Sequence, residues 1–321
     1  MNCNHCGADA AVKFGKDRKG QQRYRCLACR KTFVESHALA GMQTGLKEAV
    51  MALRMLLEGM SVRATSRLTG LDRDTILRLM VQAGEQCRAF MEANIHDVPA
   101  EQVELDEQWA FIYCKHKTAM RAGHDSSEQI GDSYVFTAID RSSKLLLCWH
   151  LGKRDGDHTR TFVAKLHPCV AGRPQVSTDG FAAYKEAVTD AWNGQVDFAM
   201  IVKDFISPSK TDQTRYSPAA IIRVKKTVVC GNPDESAIGT SRMERFNLTT
   251  RMQNRRYTRL TNAHSKKWAN HEAMLGLQFA WYNWCRKHMT IKTTPAVAAG
   301  LATEPWTLER LLTEAAKTVA A

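Results

Sequence analysis

Two sets of side chains in this chain have the types and spacing to do chemistry. Cys3 and Cys6 form one C-x2-C pair, and Cys26 and Cys29 form a second after a 19-residue spacer. Each pair turns tightly enough to present two thiolates from one side, and two pairs close a tetrahedron around a structural Zn²⁺. His5, inside the first pair, reads as a bystander. The second set is acidic: Asp106 in "VELDEQWAFIYCK" and Asp179 in "STDGFAAY", both in strand-like stretches. Two carboxylates at the mouths of adjacent strands suit Mg²⁺ or Mn²⁺, which takes a few protein oxygens and keeps its other positions for water or phosphate. A pair of such ions ~3.5–4 Å apart activates an attacking oxygen and stabilises a leaving one in phosphodiester chemistry. Neighbours on a strand point to opposite faces. Asp106 therefore shares a face with Glu104 and Gln108, while Glu107 lies with Leu105 and Trp109, and the expectation is one working acid with the other solvated or at an edge.

A further acid is expected in "GTSRMERFNLTTRMQNRRYTRLTNAHSKK", residues 239–267. Thr240 and Ser241 are cap-like, a helix follows, and Glu244 and Asn247 share one of its faces. Around them stand Arg242, Arg245, Arg251, Arg255, Arg256, Arg259, Lys266 and Lys267, with Glu244 the sole acid of the stretch. A single carboxylate among cations suits a metal ligand beside a nucleic-acid backbone, or else an ordinary surface salt bridge. The basic part, Arg251 to Lys267, is expected to continue as a helix that tracks a DNA backbone with salt-sensitive affinity.

The elements that must position these groups follow from pattern. "SYVFTAIDRSSKLLLCWHLGK" is a hairpin turning near Ser142 and Ser143, with Asp140 as a turn residue. A helix from about Asp157 to His167 leads to the strand ending at Thr178 and Asp179, and "GFAAYKEAV" is the next helix. "GKRDGDHT" reads as a loop and helix cap. Hairpin, helix and strand in this order predict an α/β layer fold with a mixed sheet. "SKKWANHEAMLGLQFAWYNWCRKH" is a long helix whose Trp268, Leu275, Phe279 and Trp281 pack the core. The tail reads as a proline break and an amphipathic helix suited to an oligomer contact.

Upstream, residues 44–90 hold three amphipathic stretches split at Gly59 and "TGL", with Ser61 and Asp72 as N-caps. Short helix, glycine turn and capped longer helix make a helix-turn-helix, with Arg73, Thr75 and Arg78 at the start of the recognition helix. A three-helix bundle with a solvated basic face is the other reading. "AVKFGKDRKGQQRYR", between the cysteine pairs, is a small basic hairpin.

A net charge of +12 and a pI near 9.3 over 321 residues point to a polyanionic partner. No apolar run reaches membrane-spanning length and the first residues lack a signal-peptide core, so a cytoplasmic protein with no membrane partner is expected. Ten cysteines in a reducing compartment favour metal binding over disulfides, and Cys87, Cys114, Cys148, Cys169, Cys230 and Cys285 show no ligand spacing.

In order, "ELDEQWAF", "STDGFAAY", "MERFNLTTRMQNRRYTRLTNAHSKK" and "YNWCRKHMT" resemble the DDE transposases of the "insertion sequence one" family, and the likeness extends back through the cysteine pairs and the helix-turn-helix. The resemblance implies a multidomain chain: a zinc ribbon at 1–37, a helix-turn-helix domain at 40–98, an RNase H-like catalytic domain at 100–300 and a helical tail at 301–321. It implies a triad of Asp106, Asp179 and Glu244 holding two Mg²⁺ or Mn²⁺ ions per active site, with Asn247 orienting the glutamate or the DNA. Glu235 and Glu272 stand as substitutes for the third acid, because "SPSKTDQTRYSPAA" between Asp179 and Glu244 aligns least well. The implied activity is hydrolysis at an element end followed by transfer of the freed 3′ hydroxyl into target DNA. Double-stranded DNA, both terminal inverted repeats and target, is the implied partner, in a homo-oligomeric, nucleoid-associated complex. The single continuous frame matches single-frame members. A DNA-binding regulator with a dead catalytic domain, or a nuclease that cuts without joining, are the alternatives.

Overall fold

The computed structural model describes residues 2–3, 5–18, 22–34, 39, 44–124, 129–206, 220–258 and 261–320. Near the N-terminus, β1 (Ala11–Lys16), β2 (Gln22–Cys26) and β3 (Thr32–Val34) form an antiparallel sheet in that order. Its core is Cys3, Cys26 and Phe33, with Tyr24 stacked on Phe33 at 6.0 Å. So small a core needs a metal or an equivalent cross-link to hold it.

Three helices follow. α1 (Leu46–Leu57) buries an apolar stripe, and α2 (Val62–Thr69) opens where the Ser61 hydroxyl accepts from the Ala64 N–H at 3.1 Å. Gly70, at φ 73°, ends α2, and Asp72 caps α3 (Arg73–Asn94) by accepting from the Asp74 N–H at 2.8 Å. Both caps fall where expected. The far half of α3 packs along a later helix, α8 (Trp268–Trp284), through two glycines. A Cβ on Gly84 would lie 1.9 Å from the Ala273 carbonyl oxygen, and one on Gly276 would lie 2.5 Å from the carbonyl oxygen of Gly84. Backbones can approach this closely only where no side chain intervenes. α1 and α3 thereby share one hydrophobic core with the large sheet.

That sheet comprises β4 (Gln102–Ile112), β5 (Gly131–Asp140), β6 (Leu146–Gly152), β7 (Gln175–Thr178), β8 (Asp197–Ile206) and β9 (Ala220–Cys230), in the order β6-β5-β4-β7-β8-β9. β4, β7 and β8 are parallel; β5, β6 and β9 run against their neighbours. α4 (His116–Arg121) follows β4, α5 (Gly156–Leu166) follows β6, and α6 (Tyr184–Ala191) follows β7. α5 covers one face, where Phe136 meets Phe162. α7 (Ser241–Gln253) and α8 (Trp268–Trp284) cover the other, where the Thr137 hydroxyl donates to the Met243 sulfur and Trp149 meets Phe279. A mixed six-stranded sheet with helices placed this way fits an RNase H-like domain. The hairpin turn and the α5 cap are local and match expectation: the Asp140 carboxylate accepts from the Ser143 N–H, and that of Asp155 from the His158 N–H.

Two expectations change. The basic segment is not one helix to Lys267: α7 stops at Gln253, and buried Asn254 turns the chain by accepting from the Arg256 N–H and donating to Gln278 on α8 at 2.8 Å. The terminal helix α10 (Leu308–Ala320), reached through α9 (Pro295–Ala298), buries Leu311, Leu312 and Ala315 and packs on α3, so its apolar face is covered inside the chain. Of "SPSKTDQTRYSPAA", all but its last residue lies outside the described residues. Among the described residues, no helix is long and apolar enough to cross a membrane.

Candidate active site

β7 is short, and its end makes the site. It pairs with β4 only from Gln102↔Gln175 to Glu104↔Ser177, whereas β4 runs on against β5 through Asp106↔Thr137 and Glu107↔Phe136. Beside Asp106 and Glu107 the β7 side of β4 is therefore open, and Asp179 follows directly after β7 at the rim. Carboxylate oxygens of Asp106, Glu107 and Asp179 all lie within 4.8 Å of one another. This corrects the expectation that the acid next to Asp106 is solvated. Neighbouring side chains do leave β4 on opposite faces, but both can turn into a gap where the adjoining strand has ended.

Each acid is held differently. Asp106 accepts from the Glu107 N–H through Oδ1 at 2.9 Å and from the Asn247 side-chain amide through Oδ2 at 2.6 Å. Burial pushes its carboxyl up to about 7, and the nearby charges of Asp179 and Glu244 push the same way against those two hydrogen bonds. The Glu107 side chain is 2 % exposed, and Arg154 Nε lies 3.5 Å from its Oε2. Burial, reinforced by Asp179, pushes Glu107 up to about 8, with Arg154 acting in opposition. Its Oε1 is buried, with the hydroxyl of fully buried Tyr184 on α6 as its neighbour. Asp179 accepts from the Phe181 N–H at 2.9 Å and meets Arg154 Nη2 at 3.5 Å. One guanidinium, stacked 4.1 Å over the Phe181 ring, thus serves two of the three acids.

The same-face set Glu104, Asp106 and Gln108 anchors α7. The Glu104 carboxylate accepts from the N–H groups of Arg242 (2.8 Å) and Met243 (2.9 Å), filling the positive N-terminus of the helix that Thr240 leaves uncapped. Asp106 takes the Asn247 amide, and Gln108 donates to the Asn247 carbonyl at 3.1 Å. Glu244, one turn before Asn247, is exposed, ion-paired with Lys203 of β8, and accepts from the Thr240 hydroxyl at 3.3 Å. It stands outside the group of three gathered carboxylates, although Asp106 feels its charge. Glu235 follows β9 in a short turn, and Glu272 pairs with Arg88 at 3.0 Å where α3 and α8 meet; neither joins the group.

The donor set fits a hard divalent cation: three carboxylates whose oxygens lie within 4.8 Å of one another, a small inward shift from the ~4.2 Å that opposite ligands on Mg²⁺ span. The thiols of Cys3, Cys6, Cys26 and Cys29 likewise gather within 4.8 Å, with Cys3–Cys29 and Cys6–Cys26 sulfur pairs at 3.6 Å. Tetrahedral Zn–S bonds of ~2.3 Å place sulfurs ~3.8 Å apart, so this cluster fits zinc.

The cationic residues divide between two places. Arg73, Arg255, Arg256 and Lys266 line one cleft of about 940 Å³, joined by Arg63 and His264. Arg256 Nη2 donates to the Met80 sulfur at 3.0 Å, and burial brings its guanidinium down to about 10. Arg242 and Arg245 lie elsewhere, on the face of α7 turned from Asn247. Arg78 and Lys267 are exposed, Thr75 and Arg251 half-buried, and Arg259 lies outside the described residues. Sequence reasoning missed Glu107, Arg154, Lys203 and the helix-anchoring Glu104. Of these, Glu107 carries a signal in the sequence as the second acid of "LDEQ", and Glu104 one through its place on the Asp106 face of the strand, though not for its role at the helix N-terminus.

No protein-family model matches the chain. Among solved structures, it is similar to a piggyBac transposase synaptic complex with hairpin DNA, at 10 % identity over 86 % of this chain and 71 % of that one, with a TM-score of 0.36. It is also similar to a pre-cleavage Mos1 transpososome, at 10 % identity over 49 % of this chain and 60 % of that one, with a TM-score of 0.20. Likenesses this slight carry no weight beside the site's own residues.

Proposed function

We propose that the chain is a DNA transposase of the DDE type, which cuts at the ends of a mobile element and joins the freed 3′ hydroxyl to target DNA. The observation that carries this is the gathering of Asp106 and Glu107, inside β4, with Asp179, just past the end of the parallel strand β7, and the bond of Asn247 of α7 to Asp106. The sequence resemblance supports the same assignment. Asp106 and Asp179 would hold two Mg²⁺ or Mn²⁺ ions, with Glu244 of α7 as the third acid. Glu107 is the rival for that place, being already with the other two. When bound, the cations supply an ionised water and offset charge on the phosphodiester oxygens.

The chain's own residues do the rest. Asn247 fixes one oxygen of Asp106 and leaves the carboxylate aimed at the gap. Arg154 balances Glu107 and Asp179 and lies where a phosphate would approach. The helix-turn-helix, through Arg73, Thr75 and Arg78, would read the terminal repeats, while Arg255 and Lys266 across the cleft hold the backbone; Arg256, expected to join them, packs its guanidinium on Met80 instead. Zinc on the four cysteines would fold the N-terminal ribbon. Because two ends must be brought together, a homo-oligomer is the working form.

The test is cleavage and joining of a labelled duplex carrying the gene's flanking inverted repeats, with Mg²⁺ or Mn²⁺. Wild type should do both; Asp106→Asn should do neither while still binding. Glu244→Gln and Glu107→Gln decide the third acid, since the true ligand's variant loses cleavage and the other retains it. Binding without any cleavage would make the chain a regulator, and cleavage without joining would make it a nuclease.

A further inference from the structure

α7 has two chemically opposite faces. At 100° per residue, Glu244, Asn247 and Arg251 fall on one side, the side on which Asn247 reaches Asp106; Arg242, Arg245 and Thr249 fall on the other. The second face opens on a pocket of about 200 Å³ where α7 meets the β5–β6 hairpin and the end of α8. Lys144 comes from the hairpin, Arg242 and Arg245 from α7, and Arg286, Lys287 and His288 from the chain leaving α8. Among the described residues, no carboxylate lines it; the acids felt around it are Glu104 and Asp140, by Lys144, and Glu58, by Arg286. The His288 Nε2 is buried without a hydrogen-bond partner; burial disfavours its protonation, and Arg286, Lys144 and Arg245 add to this. Five permanent cations thus face one pocket whose lining holds no carboxylate, with the Lys144 ammonium also donating to the Arg141 carbonyl of its own turn at 2.8 Å.

Position says what they are for. The first basic cleft borders the start of α8 through Lys266 and Asn270, and this pocket adjoins its end. α8 has 17 residues, so at a rise of ~1.5 Å each the two basic places are ~25 Å apart. α7 also links them, from Arg242 near its start to Arg255 just past its end, with Asn247 and the metal-type site between. A joining reaction must seat two DNA segments at a single metal centre, and α2–α3 already borders the first cleft. We propose that the Lys144–Arg245–Arg286–Lys287 pocket binds backbone phosphate of the second segment, the target DNA. This rests on the transposase assignment for the word target, though not for the phosphate binding.

The experiment uses the full chain with zinc and divalent cation present, and compares wild type with Lys144→Asn, Lys287→Gln and the double variant. Asparagine tolerates the left-handed backbone at Lys144 (φ 65°), and Lys287 is exposed, so both should fold. The first readout is binding of a duplex lacking the terminal repeats as a function of salt. Each lysine that contacts a phosphate should lower the slope of log K against log salt by ~1. The second is joining of a pre-cleaved end at limiting target. It should fall ~10-fold in the double variant and recover at high target concentration, while hydrolysis at the end is unchanged. An unchanged salt slope overturns the proposal. So does an equal loss of hydrolysis and joining, which would place the lysines on the element end. If the variants lose only stabilisation by inorganic phosphate and not duplex affinity, the pocket is a small-anion site and the proposal is also overturned. Absence of cleavage by wild type would sink the transposase assignment alone, because the salt slope is measured without turnover.

Discussion

The four cysteines and the three acids are both ready-made donor clusters, but they are assembled in opposite ways. The thiols come from two C-x2-C turns, each complete within four residues, and close on one another with nothing to spare. The acids come from the interior of one strand and the end of another, and they converge only because β7 stops at Thr178. In the first cluster every ligand is alike and the coordination is closed, as structure requires. In the second, the acids keep partners of different kinds, Arg154 bridging Glu107 and Asp179 and Asn247 on α7 holding Asp106, around a gap that β7 leaves open. Closure marks a site that holds a fold, and openness one that handles a substrate.

The contrast breaks most sharply at the cysteines. Cys26→Ser should abolish zinc binding, worth ~10–16 kcal/mol in small zinc modules, and with it amide protection across β1–β3. The core shared by α1, α3 and the large sheet should melt as before. Metal analysis and hydrogen exchange would check this, and a protected β1–β3 sheet after chelation would show that the module stands without metal. At the acids the fold should survive and the chemistry should not. Asp179→Asn should lower end cleavage by ~10³-fold or more, about 4 kcal/mol of barrier, with DNA affinity retained. Full activity in that variant would dissolve the carboxylate site as a catalytic centre. Asn247→Ala comes next. It removes the 2.6 Å hydrogen bond to Asp106, and bonds to charged groups are worth ~1.5–3 kcal/mol, so cleavage should fall ~10- to 100-fold. If Asn247 acts by positioning Asp106, divalent-cation affinity measured by calorimetry should weaken as well; loss of rate at unchanged affinity would put Asn247 on the DNA instead.

What could be read in the sequence divides along the same line. Ser61, Asp72, Asp140 and Asp155 act on N–H groups two or three residues away, so their types and spacing are enough. The face shared by Glu104, Asp106 and Gln108 follows from strand alternation, and all three bind α7. Glu107 was misplaced because alternation presumes a neighbour strand along the whole length, and the length of β7 is a tertiary fact. The end of α7 was missed for a similar reason: Asn254 is ordinary in sequence and becomes a stop through its bond to Gln278 across the helix pair. β8 and β9 have strand-like alternation in "VDFAMIVKDFI" and "AIIRVKKTVVC", but the polar segment between them hides that they pair. α8, by contrast, is buried over most of its residues, its polar His271, Gln278 and Asn283 included, and it sits packed between α3 and the sheet.

The smallest expected effect is one of pH, and it tests whether the acid cluster is strained in the way that the cysteine cluster is not. Asp106 and Glu107 are pushed to about 7 and about 8 in the fold, against ordinary carboxyl values near 4 in the unfolded chain. Between those limits the folded state binds more protons than the unfolded one. Stability of the metal-free protein must then decline as pH rises, the reverse of a carboxylate held in a salt bridge. From pH 6 to pH 8 the melting temperature should drop on the order of 5 °C without divalent cation. Added Mg²⁺ should restore it, more at pH 8 than at pH 6, because at the lower pH the ion must first displace protons. Asp106→Asn, which has nothing to ionise, should lose much of the pH dependence and much of the Mg²⁺ effect together. A melting temperature that rises from pH 6 to 8 without cation would mean that Arg154 already keeps these acids ionised, and the cluster would then be a buried salt bridge rather than a metal site.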